Sequence, residues 1–252
     1  MEDHITADEV RQILAAADRE ALSKEHDALC LADPPDWNYL EVIKRYSHNA
    51  TVLDMGCGYG EFLKALLPFC KRAIGVDSSV ASIEKAITLQ CSGRRLPNLL
   101  FCQGDARDLF QLESGAFDLI LSRHGPFYIE EVDRLLRPGG YLVVQTLGNN
   151  NLQELYAALE FPKDKKRSLS SVKEVIQGVK EKSWKIYENN NSQERVPYSI
   201  ESLLFIMAAA LLKRIDLSAL AAATNYLLKS GNTRELFTIT FSRDLIVAQK
   251  PP

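Results

Sequence analysis

The sequence predicts an α/β fold, in which a parallel β-sheet carries helices on both faces. Between Thr51 and Thr146, short apolar runs alternate with stretches whose apolar residues follow helical spacing. Strands that alternate with helices form parallel sheets through right-handed crossovers. A turn that contains Gly56, Gly58 and Gly60 follows the first apolar run. Such folds bind ligands at the carboxyl ends of their strands, so this turn predicts a binding site.

Composition limits the kinds of protein that this sequence can encode. Its 252 residues carry a net charge of −3 and a pI of about 5.9, so no overall basic field attracts nucleic acid or an anionic membrane. The N-terminus is acidic and resembles no secretory signal. The longest apolar run, Leu203–Leu212, is too short to cross a bilayer and predicts a buried helix. We therefore expect a cytoplasmic protein with no membrane partner.

The cysteines predict reduced thiols and no metal site. They lie at positions 30, 57, 70, 91 and 102, and none forms a CxxC pair. No histidine lies at metal-ligand spacing from them. An odd number of cysteines without a signal peptide is typical of the reducing cytoplasm. A role as small buried apolar residues explains all five.

The elements of the sheet follow a helix at the N-terminus. Thr6-Ala-Asp-Glu9 is a capping box that opens a helix to about Ser23, and the segment Ala32–Trp37 separates this helix from the sheet. The predicted strands are TVLDM, KRAIGVD, NLLFCQGD, FDLILS and YLVVQT. The predicted helices between them are GEFLKALLPF, VASIEKAITLQ and YIEEVDRLL, and RPGG forms the turn before the last of these strands.

The pattern is looser after Gly148. We expect a helix in NLQELYAALEF, a charged loop at Lys163–Arg167, and a helix that a capping box opens at Ser171 and that ends near Lys182. The remaining elements are a strand in WKIYENN, helices over Ile200–Lys213 and about Leu217–Lys229, and a bent strand or hairpin in LFTITF and LIVAQK. The mostly helical segment from about Asn190 to Asn232 is then an insertion over one edge of the sheet.

We interpret residues 1–252 as one domain. Residues 1–35 form an N-terminal helical cap, residues 36–150 the ligand-binding core, and residues 151–252 the rest of the sheet with the insertion at about 190–232. The cap and the insertion are suited to serve as a lid that excludes water. A homodimer contact explains their apolar residues equally well.

The spacing of the glycines separates two classes of cofactor. Dinucleotide-binding turns have the pattern G-x-G-x-x-G, with a pyrophosphate at the helix N-terminus. Here Glu61 follows Gly60, and its carboxylate would repel a pyrophosphate, which disfavours a nicotinamide oxidoreductase. Asp54 lies two residues before the first glycine. An acid at this position suits a ligand that carries an amino group or a sulfonium.

Acids also end the next two predicted strands. Asp77 ends the second strand, where an acid can accept hydrogen bonds from both ribose hydroxyls. Asp105 follows the third strand, where it can accept from an adenine amine while the backbone N–H of Ala106 donates. A helix cap explains Asp77 and a turn explains Asp105 when each is taken alone. Together with Asp54 they indicate an adenosine with a cationic tail.

These motifs resemble class I S-adenosylmethionine-dependent methyltransferases. The segments VLDMGCGYGEF, GVDSS, GDARDLF, FDLILSRHGPF and LLRPGGYLVVQ have the order and spacing of that family, from about Asp36 to Thr146. The resemblance implies a Rossmann-like, seven-stranded, mostly parallel sheet with an antiparallel last strand, and S-adenosyl-L-methionine as the cofactor. The cofactor site that it implies comprises Asp54, Gly56, Cys57, Gly58, Gly60, Asp77, Ser78, Asp105, Ala106 and Ser122.

A closer resemblance is to an uncharacterised bacterial subgroup of these methyltransferases. Its members have an SRHxPF motif after the fourth strand, which here is Ser122–Phe127. They also carry a glutamate after the glycine turn, here Glu61, and a Q-x-x-G-x-x-N-x-x-E-L run, here from Gln145 to Leu155.

The fourth strand ends in the candidate catalytic residues. His124 is a candidate because the unperturbed pKa of histidine suits a general base, and Arg123 can bind an anionic group of the methyl acceptor. Contacts within the turn or to the cofactor explain His124 equally well, and an ion pair with Glu130 or Glu131 explains Arg123. Phe127 and Tyr128 are candidates to stack on a planar acceptor. Other candidate pocket residues, which are more often core residues, are Tyr156, Trp184, Tyr187, Tyr198 and Met207.

Three functions remain open at this level. A methyltransferase for a small molecule is favoured. Nucleic-acid methylation is disfavoured, because the [DN]-P-P-[YF] motif is absent and Lys163–Arg167 is the one basic cluster. A protein that binds the cofactor without catalysis would carry the same cofactor residues, but the acceptor loop favours an enzyme.

Overall fold

The computed structural model describes residues 4–17, 21–22, 33–91, 96–125, 127–160, 171–208, 216–231, 233 and 236–252. The chain divides into two compact units. The first, here called the sheet unit, comprises Pro35–Gly148, Arg167–Ser192 and Arg243–Pro252. The second, here called the helical unit, comprises Met1–Pro34, Asn149–Lys166 and Gln193–Ser242.

The described strands form one seven-stranded sheet in the order β3-β2-β1-β4-β5-β7-β6. The strands are β1 Thr51–Met55, β2 Arg72–Asp77, β3 Leu99–Gln103, β4 Phe117–Arg123, β5 Leu136–Leu147, β6 Lys185–Tyr198 and β7 Phe237–Gln249. Strands β1 to β5 pair in parallel, and β7 pairs antiparallel with β5. This arrangement confirms the Rossmann-like, mostly parallel sheet with an antiparallel last strand.

The described α-helices are α1 Ala7–Ala16, α2 Tyr39–Ser47, α3 Glu61–Leu66, α4 Val80–Cys91, α5 Ile129–Leu135, α6 Gln153–Ala158, α7 Val172–Glu181, α8 Ile200–Ile206 and α9 Leu217–Lys229. Side chains alternate between the two faces along each strand. Val52, Leu121 and Val143 pack on one side with residues of α2, α3 and α4, which we call the α2 face. Leu53, Ile120 and Val144 pack on the other side with residues of α5 and α7, which we call the α5 face.

The helical unit has an apolar core of its own. Helices α1, α6, α8 and α9 pack around Leu155, Leu203 and Phe237. The side chain of Asn225 on α9 accepts from the backbone N–H of Ile5 at 2.7 Å and donates to its carbonyl at 2.8 Å. This pair of hydrogen bonds holds the N-terminal segment against α9 within this unit.

Several element boundaries differ from those that the sequence predicts. Helix α1 ends at Ala16, because Ala17 is extended, whereas the capping box at Thr6 is present as predicted. Strand β6 continues to Tyr198, so the helical part of the insertion begins at Ile200 rather than near Asn190. The last two apolar runs form the single strand β7 rather than a hairpin.

Other predictions agree or lie outside the described residues. Helices α7 and α9 have the predicted limits to within one residue. The basic cluster Lys163–Arg167, the end of the predicted helix over Ile200–Lys213 and Cys30 lie outside the described residues. The thiols of Cys57, Cys70 and Cys102 are free, and burial raises the pKa of each.

Two kinds of feature are absent from the described residues. None of the described helices is long and apolar enough to cross a membrane. Within the same residues, no group of three or more His, Cys, Asp or Glu side chains is arranged to hold a metal ion.

Candidate cofactor and acceptor site

The crevice between β1 and β4 lies where the order of the parallel strands reverses. From β1 the chain proceeds to β2 and β3 on one side, and β4 then pairs with the other side of β1. Ligands of open α/β sheets bind at the carboxyl ends of the strands near such a point. The glycine turn after β1 and the Ser122–Gly125 segment at the end of β4 therefore flank the expected site.

The glycine turn has a fixed, left-handed backbone. Gly56, Gly58 and Gly60 have φ values of 81°, 54° and 73°. The amides of Gly56 and Cys57 both donate to the carbonyl of Val76 on β2, at 2.8 Å and 3.0 Å. These hydrogen bonds tie the turn to the neighbouring strand, so glycine is required there by the backbone conformation.

Gly58 and Gly60 differ in what lies beside them. A Cβ atom on Gly60 would lie 2.1 Å from Cζ of Phe101, a buried residue of β3. A Cβ atom on Gly58 would have no heavy atom of the described residues within 4 Å. Gly60 is therefore required by packing against the sheet, whereas a side chain at position 58 would project into open space.

Asp54 is a buried acid immediately before the glycine turn. It is only 6% exposed and, by the alternation along β1, its side chain lies on the α2 face. Burial raises the pKa of Asp54 to about 7, the Arg123 cation opposes this increase, and the Asp77 carboxylate adds to it. A cationic group placed here would favour the ionised carboxylate.

Arg123 lies at the end of β4 against two aromatic rings. Its guanidinium is 4.1 Å from the ring centroid of Phe62 and 5.3 Å from that of Tyr39. These two rings meet edge to face, with their centroids 5.7 Å apart. The cation–π contacts and the charge of Asp54 fix the guanidinium on the α2 face.

The acids that the sequence offered as partners of Arg123 pair with other cations. Glu130 pairs with Lys182 at 2.5 Å, and Glu131 pairs with Arg134 at 2.6 Å. The ion pair of Arg123 with Glu130 or Glu131, which the sequence suggested, is therefore not formed, because Lys182 and Arg134 hold these two acids.

Asp77 connects β2 to the glycine turn. One carboxylate oxygen accepts from the amide of Gly58 at 2.9 Å, and the other accepts from the amide of Ser79 at 2.9 Å. Ser78, which follows Asp77 in the sequence, is exposed. Each carboxylate oxygen retains a lone pair, so these contacts leave Asp77 able to accept from ribose hydroxyls.

Asp105 is engaged differently from the other two acids. Arg107 holds its carboxylate through both oxygens, at 2.5 Å to 3.0 Å, and Ala106 beside it is buried. The side-chain hydrogen bonds from Arg107 lower the pKa of Asp105 to about 2. The structure thus brings Asp54 and Asp77 together at the turn, while Asp105 forms a separate pair with Arg107.

The segment after β4 folds back onto the glycine turn. A Cβ atom on Gly125 would lie 2.7 Å from the carbonyl oxygen of Met55 and 3.6 Å from Cα of Gly56. It would also lie 3.2 Å from Oγ of the buried Ser122. Any side chain at position 125 would therefore push the Ser122–Gly125 segment away from the glycine turn.

His124 is held by β5 from both its backbone and its ring. It has a left-handed backbone with φ of 52°, and its amide donates to the carbonyl of Gln145 at 2.8 Å. The side-chain amide nitrogen of the buried Gln145 lies 3.1 Å from Nε2 of His124. Because an amide NH₂ only donates, Nε2 accepts, and this assigns the ring proton of the neutral imidazole to Nδ1.

Most of the candidate aromatic and methionine residues belong to the cores. Phe127 and Trp184 are buried in the apolar cluster of the α5 face, so Phe127 does not present a surface for stacking. In the helical unit, Tyr198 and Met207 are buried in its core and Tyr156 packs against it. Tyr128 is exposed, and Tyr187 is exposed with its hydroxyl bonded to Gln249.

Three site residues were not assigned a role from the sequence. Phe101 fills the space beneath Gly60, Gly125 allows two segments to approach, and Gln145 orients His124. The glycine inside SRHGPF was the one local signal for a close approach. Phe101 resembles an ordinary strand residue in the sequence, and Gln145 was noted only as the first residue of the run to Leu155.

Comparison with known proteins identifies the family of the chain. Residues 46–201 match a family described as a methyltransferase domain. The chain belongs to this methyltransferase family. The family's cofactor is S-adenosyl-L-methionine, and the buried Asp54 beside the open space at Gly58 fits a ligand with a cationic end.

Individual relatives match over part of their length. Phthiotriol/phenolphthiotriol dimycocerosates methyltransferase 1 of Mycobacterium ulcerans is 29% identical over 170 residues, which are 61% of this chain and 60% of the relative. The chain spans about half the length of the curated relatives it matches.

Solved structures share the fold at low sequence identity. The YcgJ protein of Bacillus subtilis superposes with a TM-score of 0.63 at 17% identity, over 84% of this chain and 98% of that protein. A geranyl diphosphate methyltransferase in complex with GPP and sinefungin superposes with a TM-score of 0.51 at 15% identity, over 84% of this chain and 77% of that one.

Proposed function

We propose that this methyltransferase transfers the methyl group of S-adenosyl-L-methionine to a small-molecule acceptor. The observation that carries the proposal is the buried Asp54 carboxyl at the glycine turn, with its raised pKa and with open space beside Gly58. A protein gains no stability from a buried acid in this state, so the acid is better explained by a cationic ligand that ionises it.

The proposal gives each part of the site a role. Asp54 accepts from the amino group of the methionine moiety, and the turn from Gly56 to Gly60, with Cys57, surrounds that moiety. Asp77 and Ser78 bind the ribose, Asp105 and Ala106 bind the adenine, and Ser122 borders the crevice at β4. Because Arg107 holds Asp105, the adenine amine shares that carboxylate with a guanidinium in this arrangement.

Positioning supplies most of the catalysis in this proposal. The cofactor, when bound, supplies a methyl group that is already activated as a sulfonium. The chain then has to align the acceptor nucleophile with it and exclude water. Gly125 keeps the acceptor segment close to the cofactor turn, and Gln145 holds the ring of His124 at the end of β4.

Two observations support a small acceptor. The relatives named above are enzymes for phthiotriol dimycocerosates and for geranyl diphosphate, which are both non-macromolecular. Separately, we propose that the chain belongs to the bacterial subgroup described from the sequence, and the SRHxPF motif and the run from Gln145 to Leu155 support this.

The proposal extends to the organisation and the location of the protein. We propose that residues 1–252 act as one functional domain, because β6 and β7 contribute residues to both units. We place the reaction in the cytoplasm, where the free thiols stay reduced.

A homodimer is the proposed oligomer, and sedimentation at several protein concentrations tests it.

Binding of S-adenosylhomocysteine tests the cofactor assignment directly. At 100 times its Kd, the product should stabilise the folded protein by about 2.7 kcal/mol and raise its Tm, because it binds the folded state alone. NAD at the same concentration should leave Tm unchanged. A shift with NAD and none with S-adenosylhomocysteine would overturn the proposed function.

The role of His124 has a separate test. Because Nδ1 carries the ring proton, Nε2 of His124 can take the proton of the nucleophile only by giving up the hydrogen bond from Gln145. If it does so, His124→Ala should reduce the turnover of methyl transfer about 10²–10⁴-fold. The Tm shift with S-adenosylhomocysteine should persist, since the proposed cofactor contacts remain. Gln145→Leu serves as the matched variant: it keeps the imidazole but removes the donor to Nε2, and should shift the pH profile of turnover. An unchanged rate in His124→Ala removes this residue from the mechanism.

A further inference from the structure

A second group of buried polar side chains lies on the α5 face, at the carboxyl end of β5. Thr146 on β5 and Asp244 on β7 are only 4% and 7% exposed. They are directly paired across the two antiparallel strands, so their side chains project from the same face of the sheet. Neither residue belongs to the proposed cofactor site.

Both side chains retain unused hydrogen-bonding capacity. One carboxylate oxygen of Asp244 accepts from the side chain of Asn191 on β6 at 2.7 Å. The other oxygen of Asp244 and the hydroxyl of Thr146 are buried, and no described residue forms a hydrogen bond with either. Burial raises the pKa of Asp244, and the hydrogen bond from Asn191 opposes that effect. Buried polar groups without partners cost stability, so each needs an explanation, and a ligand that binds them is one.

The register of the sheet places this pair beside the Ser122–Gly125 segment at the end of β4. Arg123, the last residue of β4, pairs with Gln145, so Thr146 is level with His124. Asp244 lies one strand beyond Thr146. Since neighbouring strands are about 4.8 Å apart, Asp244 lies about 10 Å across the sheet from the end of β4.

We propose that Asp244 and Thr146 form a polar subsite for the methyl acceptor, which binds a hydroxyl or amino group at the end of the acceptor opposite to the methylated atom. This inference rests on the proposed function. The free oxygen of Asp244 accepts a hydrogen bond from the acceptor, and the Thr146 hydroxyl donates to it or accepts from it. Asn191 orients the carboxylate so that its other oxygen is available.

The stability of the free protein gives a first test. Thr146→Val keeps the shape of the side chain but removes a buried hydroxyl that has no partner, so its Tm should rise by a few °C. The matched control is Thr224→Val, which removes an equally buried hydroxyl that donates to the carbonyl of Leu220 at 2.8 Å and should not raise Tm. A Tm for Thr146→Val that falls as in the control would overturn the premise.

Binding of matched probes gives the second test. Ligand-observed NMR on protein saturated with S-adenosylhomocysteine compares tyramine with 4-ethylphenol and 1,6-hexanediol with 1-hexanol. Within each pair, only the first compound has a second hydrogen-bond donor at its far end. We expect the first compound to bind at least about tenfold more tightly than the second, because its far end adds one charge-assisted hydrogen bond to the buried carboxylate of Asp244.

The preference should depend on this pair of residues. It should disappear in Asp244→Ala and decrease in Thr146→Val. It should persist in Asp118→Asn. Asp118 lies near the start of β4, at the opposite end of the strands from the proposed subsite, and accepts from the Thr51 amide. The absence of a preference in the wild type, or its persistence in Asp244→Ala, would overturn the subsite. Loss of the Tm shift with S-adenosylhomocysteine in the wild type would instead refute the proposed function.

Discussion

Asp54→Asn is expected to weaken the binding of S-adenosylhomocysteine by roughly two orders of magnitude. In the proposed complex the carboxylate accepts from the amino group of the ligand in a buried environment, and breaking such a pair costs about 3 kcal/mol. Asparagine keeps the shape but carries no charge. Isothermal titration calorimetry of both proteins at pH 8 gives the comparison, because Asp54, with a pKa of about 7, is mostly ionised there.

The same substitution should change the pH dependence of stability. The folded pKa of Asp54 is about 7, above the ordinary value of 3.8, so between about pH 4 and pH 7 the folded protein holds a proton that the unfolded chain releases. The contribution of this group to the free energy of unfolding therefore decreases as pH rises through that range, by up to about 1.4 kcal/mol per pH unit, and stays low above pH 7.

Urea denaturation without ligand at pH 5, 6, 7 and 8 measures this effect. The stability of Asp54→Asn relative to the wild type should increase from pH 5 to pH 7 and then become constant. Affinity for the ligand in the wild type should fall below pH 7, since binding requires the ionised acid. Asp118→Asn is the matched control and should keep the wild-type affinity. An affinity of Asp54→Asn within threefold of the wild type would contradict the proposed role.

Alanine at Gly58 and alanine at Gly60 are expected to have opposite main effects. Both positions have positive φ, which costs an alanine roughly 1–2 kcal/mol. Gly60→Ala also places Cβ 2.1 Å from Cζ of the buried Phe101, so it should destabilise the free protein by about 3 kcal/mol or more. The Cβ atom of Gly58→Ala would contact no described atom, so its loss of stability should be limited to the cost of the positive φ.

For ligand affinity, Gly58→Ala should have the larger effect. The methyl group of Gly58→Ala occupies the open space beside the turn, so it should weaken the binding of S-adenosylhomocysteine at least about tenfold. The double variant Gly60→Ala/Phe101→Leu should recover part of the stability lost in Gly60→Ala, because leucine lacks the ring atoms that clash. Equal stability losses in the two single variants, or unchanged affinity in Gly58→Ala, would refute this division of roles.

The order of the elements follows from the sequence because it depends on local periodicity. The alternation of strands and helices from Thr51 to Thr146 predicted the parallel sheet, and the capping boxes at Thr6 and Ser171 marked two helix starts correctly. The predicted end of β6 was wrong, and the sequence left open whether the last two apolar runs form one strand or a hairpin. Strand length depends on pairing partners rather than on local pattern.

The sequence by itself determined where the acids and glycines of the site lie along the chain, since strand ends and sharp turns have local signals. The tertiary structure alone decided what these residues contact. The position of Arg123 on Phe62 and Tyr39, the clamp of Arg107 on Asp105, the approach of Gly125 to Met55 and the contact of Gln145 with His124 all emerged only in the structure. Most of these contacts join segments far apart in sequence, and all depend on side-chain packing that no local pattern encodes.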